Sequence, residues 1–456
     1  MGIPSYFSYI IRKHPYIITR LQKADHLYLD SNSIIYDMVA SLEVCTDDLL
    51  AKAVCEKIDA YLKLVEPKRV IIAFDGVPPM AKIKQQRERR FKSWIMPSKP
   101  SGWNTLQITP GTSFMTYLDS VLKKHFANYA SRYDFFKLST SVEPGEGEHK
   151  IFQHIRDHPE VHQQTKTLVY GLDSDLIVLS LNHLQYGEIR LLREAPAFML
   201  EDRELHVLDI PKLAEGIGEL IGPTKLPDYI LMTLFLGNDF MPHFPALNLR
   251  TTGFDTLMQT YQQCMTAGRL FDGEIQWEQM AIFMKALSVK EASIMAKEYH
   301  ARNRLRIDTS TEEKRRMNLP LIQREMEHHI CPIQNGWEKR YYNTLFKTTN
   351  LEDLCKNYTD MLTWNMQYYT TGCMDWTIQY RYMYPPLLVD LVQHLPTQSI
   401  HPKDQTILTP SELLHYVLPP VFHDYIPGGY ATDSVKPKLI WAYCRYDWES
   451  HVDFYH

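Results

Sequence analysis

Residues 69–91 read RVIIAFDGVPPMAKIKQQRERRF, and this stretch decides the fold. Its first part is short and apolar, contains β-branched residues and ends in Asp-Gly, which predicts a buried strand followed by a turn. The part after Pro78-Pro79 is charged and is predicted to be a helix, since proline is favoured where a helix begins. A strand that leads directly into a helix is the building unit of an α/β sheet.

The same alternation continues on both sides of this stretch. Further strands are predicted at HLYLD (26–30), FFKLS (135–139) and TLVYG (167–171). Helices are predicted from about Asn32, over 47–65, after the turn in 108–126, and from GEGEHK (145–150) onward. We therefore predict an α/β fold with a mainly parallel central sheet flanked by helices.

The second half of the chain has a different pattern. Long helical stretches such as 274–306 follow residue 253, and the polar span 307–335 is interpreted as a connecting segment or an exposed excursion. After residue 336 the chain is rich in aromatic residues and is expected to pack against the first half. The predicted regions are a core over 1–252, a helical region with its connecting segment over 253–335, and a third region over 336–456.

Composition excludes several classes of protein. Hydrophobic residues make up 45% and charged residues 23% of the 456, which excludes collagen-like, disordered and coiled-coil chains. The net charge of −5 provides no global basic field. The seven cysteines form no CxxC pair, which is typical of a reducing compartment and argues against a disulfide framework or a zinc site. No apolar run reaches the length of a membrane helix, no signal-peptide pattern is visible, and Gly2 has no second membrane signal to support lipidation. We expect an intracellular protein, in the cytoplasm rather than the nucleus, with no membrane partner.

Carboxylates recur where predicted strands and apolar helices end. They are Asp30, Asp75, Glu146, Glu148, Asp173, Asp175 and Asp239. The carboxyl ends of parallel strands line one edge of a sheet, so these groups are expected to converge there. Seven carboxylates together would repel one another unless cations neutralised them, and hard oxygen ligands suit Mg²⁺ or Mn²⁺. Each residue taken alone could equally be a helix cap or a turn residue. The nearby His149 and His243 are expected to orient neighbours rather than bind metal.

The predicted helix after Pro79 is strongly basic. Residues 81–92 carry six positive side chains and one negative, a local net charge of +5. Helical spacing places Lys82, Gln86, Arg89 and Arg90 on one face. Arginine forks, a lysine and an amide together suit a terminal phosphate. The alternative is an ordinary solvated helix face.

Several motifs, taken together and in this order, resemble the Xrn family of 5′→3′ exoribonucleases. They are MGIPSYF (1–7), YLDSNSIIYD (28–37), FDGVPPMAKIKQQRERRF (74–91), ITPGTSFM (108–115), EPGEGEHKI (143–151), YGLDSDLIVLSL (170–181) and LGNDFMPHFP (236–245). A looser match covers residues 355–391. The resemblance is dense over about 1–250.

The resemblance implies a nuclease core of the PIN and flap-endonuclease type that holds two Mg²⁺ ions, with Mn²⁺ as a possible substitute. It implies that the seven carboxylates bind the metals and that Lys82, Gln86, Arg89 and Arg90 form a pocket for a 5′-monophosphate. The expected reaction is processive removal of nucleoside 5′-monophosphates from single-stranded RNA with that end. Capped or triphosphorylated ends would be too large for the pocket.

The chain departs from the family pattern in two ways. Where the family has a base-stacking histidine, six residues after Asp30, this chain has Tyr36. The second stacking partner is a tryptophan, and Trp364 is favoured only slightly over Trp376.

The chain ends at His456, and we interpret it as a compact form without the family's long C-terminal extensions. A flap-type 5′ nuclease acting on DNA and a catalytically silent RNA-binding scaffold are the alternatives.

Overall fold

A seven-stranded sheet is the centre of the molecule. The computed structural model describes residues 2–97, 102–194, 205–346, 350–401 and 403–454. In chain order, the strands of this sheet are β1 (Ile18–Arg20), β2 (His26–Asp30), β3 (Arg69–Ala73), β4 (Phe135–Ser139), β5 (Lys166–Tyr170), β6 (Glu188–Glu194) and β7 (Leu205–Leu208). Their order across the sheet is β1-β7-β6-β5-β2-β3-β4.

The strand directions confirm the predicted mainly parallel sheet. The neighbours β6, β5, β2, β3 and β4 are all parallel, while β7 and β1 add an antiparallel edge. The four strands predicted from the sequence are all present, whereas β1, β6 and β7 were not predicted. Strand β2 lies between β3 and β5, so the chain continues from β2 to one side of the sheet and later adds β5 on the other side. Ligands bind at such switch points in open α/β sheets.

The helices flank the sheet and then build the second half of the molecule. Those of the first half are α1 (Tyr6–Lys13), α2 (Asn32–Ser41), α3 (Asp47–Val65), α4 (Met80–Ile95), α5 (Ser113–His125), α6 (Gly147–Asp157), α7 (Pro159–His162), α8 (Asp175–His183), α9 (Ile210–Ile221) and α10 (Leu226–Leu234). Those of the second half are α11 (Gly253–Cys264), α12 (Trp277–Asn303), α13 (Glu312–Met317), α14 (Leu319–Ile322), α15 (Glu325–Ile330), α16 (Trp337–Leu345), α17 (Leu351–Thr370), α18 (Leu388–Gln393) and α19 (Pro410–Val417). Two small antiparallel pairs complete the fold, β8 (Phe271–Asp272) with β9 (Glu274–Ile275) and β10 (Lys438–Ile440) with β11 (His451–Asp453).

Both faces of the sheet are buried, because successive side chains of a strand point to opposite faces. Tyr28 and Val169 belong to one hydrophobic cluster, which also contains residues of α6, α8, α10 and α17. Leu29 and Tyr170 belong to the other, together with residues of α3 and α5. The first cluster continues into the second half of the chain, so the two halves share one core, as expected.

The interpretation of 307–335 as a connecting or exposed segment was only partly right. Residues 305–315 are exposed, but the chain then turns inward and forms α14 and α15. Glu327 is buried there between two guanidinium groups, with contacts of 2.8 Å to both Arg302 and Arg324. Each buried charge of this cluster thus has a partner of opposite sign, which allows a polar sequence to be packed.

Helix α4 is enclosed by the C-terminal part of the chain. Leu413, Leu414 and Val417 of α19 form a small hydrophobic cluster with Val77 and Ile83. Among the described residues, none of the helices combines the length and the apolar character needed to cross a membrane.

Candidate active site

The acidic residues predicted to converge lie together at the carboxyl ends of the central strands. Asp30 ends β2, Asp75 follows β3 by two residues, and Asp173 follows β5 by three. Since β3, β2 and β5 are adjacent in the sheet, their ends open on one crevice. Glu146, at the N-cap position of α6, and Glu148, in its first turn, also enter this crevice.

The carboxylates form two overlapping groups. In the first, oxygen atoms of Asp30, Asp75 and Glu148 lie within 4.8 Å of one another. In the second, Glu146, Glu148 and His149 each offer a ligand atom within the same distance. The Oδ1 atom of Asp30 is buried and has no hydrogen-bond partner among the described residues. A buried oxygen of this kind is satisfied by a cation or by water.

Glycine is required beside this cluster. A Cβ atom at Gly147 would lie 2.6 Å from Oδ1 of Asp30, closer than any side chain can approach. The backbone N–H of Gly147 instead donates to Asp75 Oδ1 at 2.7 Å. The other oxygen of Asp75 accepts from the Asn32 amide at 2.6 Å. Helix α6 and helix α2 thus fix the orientation of this carboxylate.

Lys82 connects the acidic cluster to the basic helix. Its ammonium group lies 2.5 Å from Glu146 and 2.7 Å from Asp239. The other oxygen of Glu146 accepts from the Tyr368 hydroxyl at 2.7 Å. The sequence prediction grouped Lys82 with Arg89 and Arg90 in a phosphate pocket, but here its ammonium contacts carboxylates.

The N-terminal residues close the crevice at Asp173 and Asp175. The Ile3 N–H donates to Asp175 Oδ1 at 3.3 Å, and the Asp175 N–H donates to Asp173 Oδ1 at 3.2 Å. A Cβ atom at Gly2 would lie 2.3 Å from the Asp175 carboxylate and 2.5 Å from that of Asp173. All seven predicted acidic residues are therefore gathered at one place.

The proximity of these charges changes their protonation. Burial, together with Asp75, Asp173 and Glu146, raises the pKa of Asp30 well above its usual value. Burial, together with Glu146 and Asp30, does the same to the pKa of Glu148. Burial and repulsion from Asp173 and Asp239 raise the pKa of Asp175 to about 8.

Asp239 is the exception within the cluster. Burial opposes its ionisation, but the surrounding positive charges, with Lys82 the strongest and Arg89 among them, together outweigh that effect and lower the pKa of Asp239 to about 2. The same contact keeps Lys82 charged, because Asp239 and Glu146 raise the pKa of Lys82 despite its burial. One lysine thus neutralises only part of the crevice, and the remaining carboxylates repel one another.

The cluster fits a divalent cation. Its donors are carboxylate oxygens, which are the ligands that Mg²⁺ and Mn²⁺ prefer. The orphaned oxygen of Asp30 and the raised pKa values of Asp30 and Glu148 both indicate that a positive charge is needed there. His149 was expected to orient its neighbours. One of its ring nitrogens lies within 4.8 Å of carboxylate oxygens of Glu146 and Glu148, so it could also be a ligand.

The cations of helix α4 divide into two sets. Lys84 donates to the carbonyls of Tyr380 and Tyr382, and Lys92 donates to those of Trp448 and Ser450, at 2.7 to 2.8 Å. Arg87 lies over the aromatic rings of Phe91, Tyr416 and Phe454, 4.0 to 5.5 Å from their centroids. These three side chains hold the helix in place. The alternative of an ordinary solvated helix face therefore does not describe these three side chains, which contact other parts of the protein.

Arg89 and Arg90 line a cavity of about 290 Å³ together with Tyr36, Ser93, Thr105 and Leu106. The Arg90 Nε donates to Thr109 at 2.9 Å, and Arg89 reaches the Tyr36 hydroxyl at 3.5 Å. Burial lowers the pKa of Arg90 to about 10, and repulsion from the adjacent Arg89 guanidinium acts in the same direction. An anion between them would relieve that repulsion.

Gln86 lies one turn before Arg90 on helix α4. Its side chain is buried, and its Oε1 has no hydrogen-bond partner among the described residues. The Arg90 guanidinium instead donates to the main-chain carbonyl of Gln86 at 3.2 Å. The Gln86 side-chain oxygen is therefore still able to accept a hydrogen bond.

The structure separates the three aromatic candidates. Tyr36 is 36% exposed and lies at the arginine cavity. Trp364 is only 1% exposed, stacks on Tyr368 and donates its indole N–H to the Asp375 carbonyl. The burial of this ring in the core argues against the prediction that Trp364 stacks on a base.

Trp376 is in a different position. It is partly exposed, and its carbonyl accepts from the N–H of Met80 at the start of α4. Its ring lies 3.9 Å from the Cβ position of Gly145, beside the start of α6, where Glu146 and Glu148 lie. Of the two tryptophans, Trp376 is thus the one next to the crevice.

The sequence analysis missed Asn32 and Tyr368, which position Asp75 and Glu146. Asn32 follows a strand-end aspartate by two residues, and that spacing could have marked it. Tyr368 lies 222 residues from its partner and carried no local signal.

Comparison with known proteins gives consistent results. A family model described as "XRN 5'-3' exonuclease N-terminus" matches residues 1–101 and 93–195. A second, described as "Xrn1 helical domain", matches residues 224–331 and 323–445. The catalytic core of Rad2 with a DNA substrate matches 81% of this chain and 99% of that chain, with a TM-score of 0.38 and 11% identity, which is too low to carry an argument.

Two curated relatives are 5'-3' exoribonuclease 1 of Saccharomyces cerevisiae and of Homo sapiens. The yeast protein is 31% identical over 63% of this chain and 22% of its own length. The human protein is 26% identical over 94% of this chain and 31% of its own length. The chain thus spans about a fifth to a third of these relatives. Since the two family models together match most of its residues, including those of the acidic crevice and of helix α4, the chain belongs to the XRN family of 5′-3′ exonucleases.

Proposed function

We propose that the chain hydrolyses single-stranded RNA from a 5′-monophosphate end and releases nucleoside 5′-monophosphates one at a time. The observation that carries this proposal is helix α4, which joins the acidic crevice to the arginine cavity. Lys82 contacts two carboxylates of the crevice, and Arg89 and Arg90 line the cavity. The seven residues from Lys82 to Arg89 correspond to about 10 Å along a helix. A rigid link of that length would set a fixed distance between the bound end and the cleaved bond.

The crevice is proposed to hold two divalent cations, Mg²⁺ or Mn²⁺. The residues that would hold them are Asp30, Asp75, Glu146, Glu148, Asp173, Asp175 and Asp239. Such ions supply an activated water and charge stabilisation of the leaving oxygen in phosphodiester hydrolysis. The protein's part is to fix the carboxylates, and the bonds from Asn32 and Gly147 to Asp75 support this.

The arginine cavity is proposed to bind the terminal phosphate. Arg89 and Arg90 would each offer a planar pair of donors, and the Gln86 side chain lies one turn away on the same helix. Lys82 is proposed to serve both sites, because its ammonium lies on the crevice side of the same helix face. A small cavity would admit a monophosphate and exclude a cap or a triphosphate.

The bases are proposed to stack between Tyr36 and Trp376. Tyr36 lies at the arginine cavity, and Trp376 lies beside the loop of the acidic residues. Stacking on aromatic rings accepts any base and contributes about 1–3 kcal/mol per base. This would allow degradation without sequence preference.

A panel of substrates tests the proposal. The purified chain is incubated with Mg²⁺ and a 3′-labelled RNA that carries a 5′-monophosphate, a 5′-triphosphate or a 5′-hydroxyl, together with the matching DNA. We expect rapid and complete loss of the monophosphorylated RNA alone. Internal cuts, or equal loss of all ends, would favour a flap-type endonuclease, and rapid loss of the DNA would favour a DNA nuclease. No cleavage of any substrate would favour an RNA-binding scaffold.

A further inference from the structure

A second, larger cavity borders the arginine cavity along helix α4, and we call it the rear cavity. It has a volume of about 670 Å³ and extends from Gly2 and Asp239 at the crevice to the C-terminal residues 442–451. Arg89 and Ser93 line both this rear cavity and the arginine cavity. A volume of this size is typical of sites that bind small molecules. The rear cavity thus shares Asp239 with the acidic crevice and Arg89 with the arginine cavity, and it extends beyond both.

Two stacked aromatic rings stand at the outer end of the rear cavity. Tyr446 and Trp448 are 4.2 Å apart between ring centroids, with an interplanar angle of 10°. Trp448 lines the cavity and is 48% exposed, although its ring is large and apolar. The Arg250 guanidinium lies 4.0 Å from the Tyr446 centroid. An exposed indole whose partner ring is already fixed is a preformed surface for stacking.

The segment that carries Trp448 is held on both sides. The Trp448 carbonyl accepts from Lys92 of α4 at 2.8 Å. Asp447 pairs with Arg316 at 3.4 Å, and Glu449 pairs with Arg250, whose Nε donates to Ser5 at 2.6 Å. These contacts hold the backbone of residues 447–449 in place, and the stacking on Tyr446 orients the Trp448 ring.

The charges around the rear cavity are balanced. Its lining carries four carboxylates and four arginine or lysine side chains, and each carboxylate has a neighbour, in the pairs Glu88 with the His451 imidazole, Asp239 with Lys82, Asp447 with Arg316 and Glu449 with Arg250. A cavity of this kind would not attract a bare anion. It suits a neutral, flat, polar group such as a nucleobase, with a phosphate held only at the end where Arg89 lies.

We propose that the rear cavity is a second nucleotide-binding site, in which a base stacks on Trp448 and its phosphate lies toward Arg89. The inference rests on the proposed function, because that function supplies nucleotides at this place. The nucleotide has two possible sources with the same chemistry. It is either the mononucleotide that leaves after cleavage or a unit of the RNA strand.

The test compares Trp448→Ala with Trp448→Phe, which keeps a ring, and with Tyr430→Ala. Tyr430 is also an exposed aromatic residue, at 77%, and does not line the rear cavity. The first measurement is direct binding of guanosine 5′-monophosphate to each variant. The second is binding of RNAs of 4 and 20 nucleotides to the same variants in an Asp173→Ala background. Thermal unfolding of each variant verifies that it is folded.

We expect Trp448→Ala to weaken one of these interactions about 5- to 150-fold, the range of one lost base stack. Weaker binding of the mononucleotide identifies the leaving product, and weaker binding of the longer RNA alone identifies the strand. Trp448→Phe should lose much less, and Tyr430→Ala should change nothing. If Trp448→Ala alters the dissociation constants of the mononucleotide and of both RNAs by less than twofold, the inference is wrong. Because both readouts are binding, they stand even if the chain cleaves no RNA, which would overturn the proposed function alone.

Discussion

Asp30 shows at the scale of one residue how a reactive site is assembled at the expense of stability. Its carboxylate is buried among Asp75, Asp173 and Glu146, and this raises its pKa well above the usual value. The repulsion between like charges that a folded protein holds together is relieved when the chain unfolds. The residue is therefore unfavourable for the metal-free fold and is explained by what it binds.

Replacing Asp30 by asparagine should separate these two effects. Asp30→Asn removes one charge and keeps the shape, so we expect the metal-free protein to become more stable by about 1 kcal/mol. Cleavage of 5′-monophosphorylated RNA should fall by at least about 100-fold. Thermal unfolding in the presence of a chelator and a cleavage assay with Mg²⁺ measure the two effects. A variant that is both fully active and no more stable would contradict the assignment.

Arg89 provides a test of the arginine cavity. Arg89→Ala removes a charged donor, and a hydrogen bond to a charged group contributes about 1.5–3 kcal/mol. We expect kcat/KM on 5′-monophosphorylated RNA to fall roughly 10- to 150-fold. The loss on 5′-hydroxyl RNA should be much smaller.

A matched variant controls for the removal of positive charge. Arg306 is exposed and lies outside both cavities, so Arg306→Ala should leave the preference for the 5′ end unchanged. Equal losses on both RNA ends in Arg89→Ala would mean that this side chain attracts the RNA backbone in general.

The two tryptophans should respond in opposite ways. Trp364→Ala removes a buried ring and should destabilise the fold by about 3–5 kcal/mol. Trp376→Ala should leave the melting temperature nearly unchanged and raise KM for RNA about 5- to 150-fold, with Trp376→Phe close to the native protein. Melting curves and steady-state kinetics on the same preparations distinguish them. An unchanged KM in Trp376→Ala would remove this residue from the proposed stacking pair.

At the scale of elements, helix α4 shows what a sequence can and cannot predict. Its position after β3 and its basic character could be predicted, because both depend on neighbouring residues. The roles of its cations could not. Lys84 and Lys92 bind carbonyls more than 290 residues away, which no local pattern encodes.

The strands follow the same rule. Three of the four predicted strands, β2, β3 and β5, are almost entirely buried, and β4 is partly buried, so their own mainly apolar residues identify them. Strand β1 has three residues, and its register with β7 depends on a segment 188 residues away. Trp364 and Trp376 likewise look alike in sequence, and only the packing of α17 determines which of them is buried.

Helix α6 carries a second feature, on the side away from the crevice. His154 stacks on His158, and both lie near His162, which bonds to the Tyr28 hydroxyl at 2.9 Å. His26 lies 5.1 Å from His162. Burial and the neighbouring histidines lower the pKa of His26 to about 4 and that of His154 to about 3. Arg69, also close to this group, acts in the same direction.

This cluster should make the fold sensitive to acid. In the unfolded chain these histidines have a pKa of about 6.5, so the unfolded state binds more protons between pH 6.5 and 4. The stability that depends on keeping these histidines neutral should be complete above pH 6.5. The free energy of unfolding should then fall as the pH decreases toward 4. His154→Phe should lessen that fall, while His300→Phe, at an exposed site, should not. Urea unfolding at several pH values measures the free energy of unfolding of the native chain and of both variants. If this free energy depends on pH with the same slope in all three, the account is contradicted.

At the scale of the whole molecule, the second half of the chain completes the site. Tyr368 of α17 bonds to Glu146, α19 packs on the start of α4, and the residues after 441 line the rear cavity. One hydrophobic cluster runs through both halves. The division into three regions over 1–252, 253–335 and 336–456 stays a prediction, and we propose that these regions act as one unit.

The central claim is that one helix links end recognition to cleavage at a fixed distance. The length of the first product from 5′-labelled, 5′-monophosphorylated RNA tests it most directly, with Asp173→Ala as the inactive control. We predict that a labelled mononucleotide is the only labelled product at the earliest times and that the control releases none. A labelled fragment of two or more nucleotides, or a mixture of lengths, would contradict the fixed distance and with it the account.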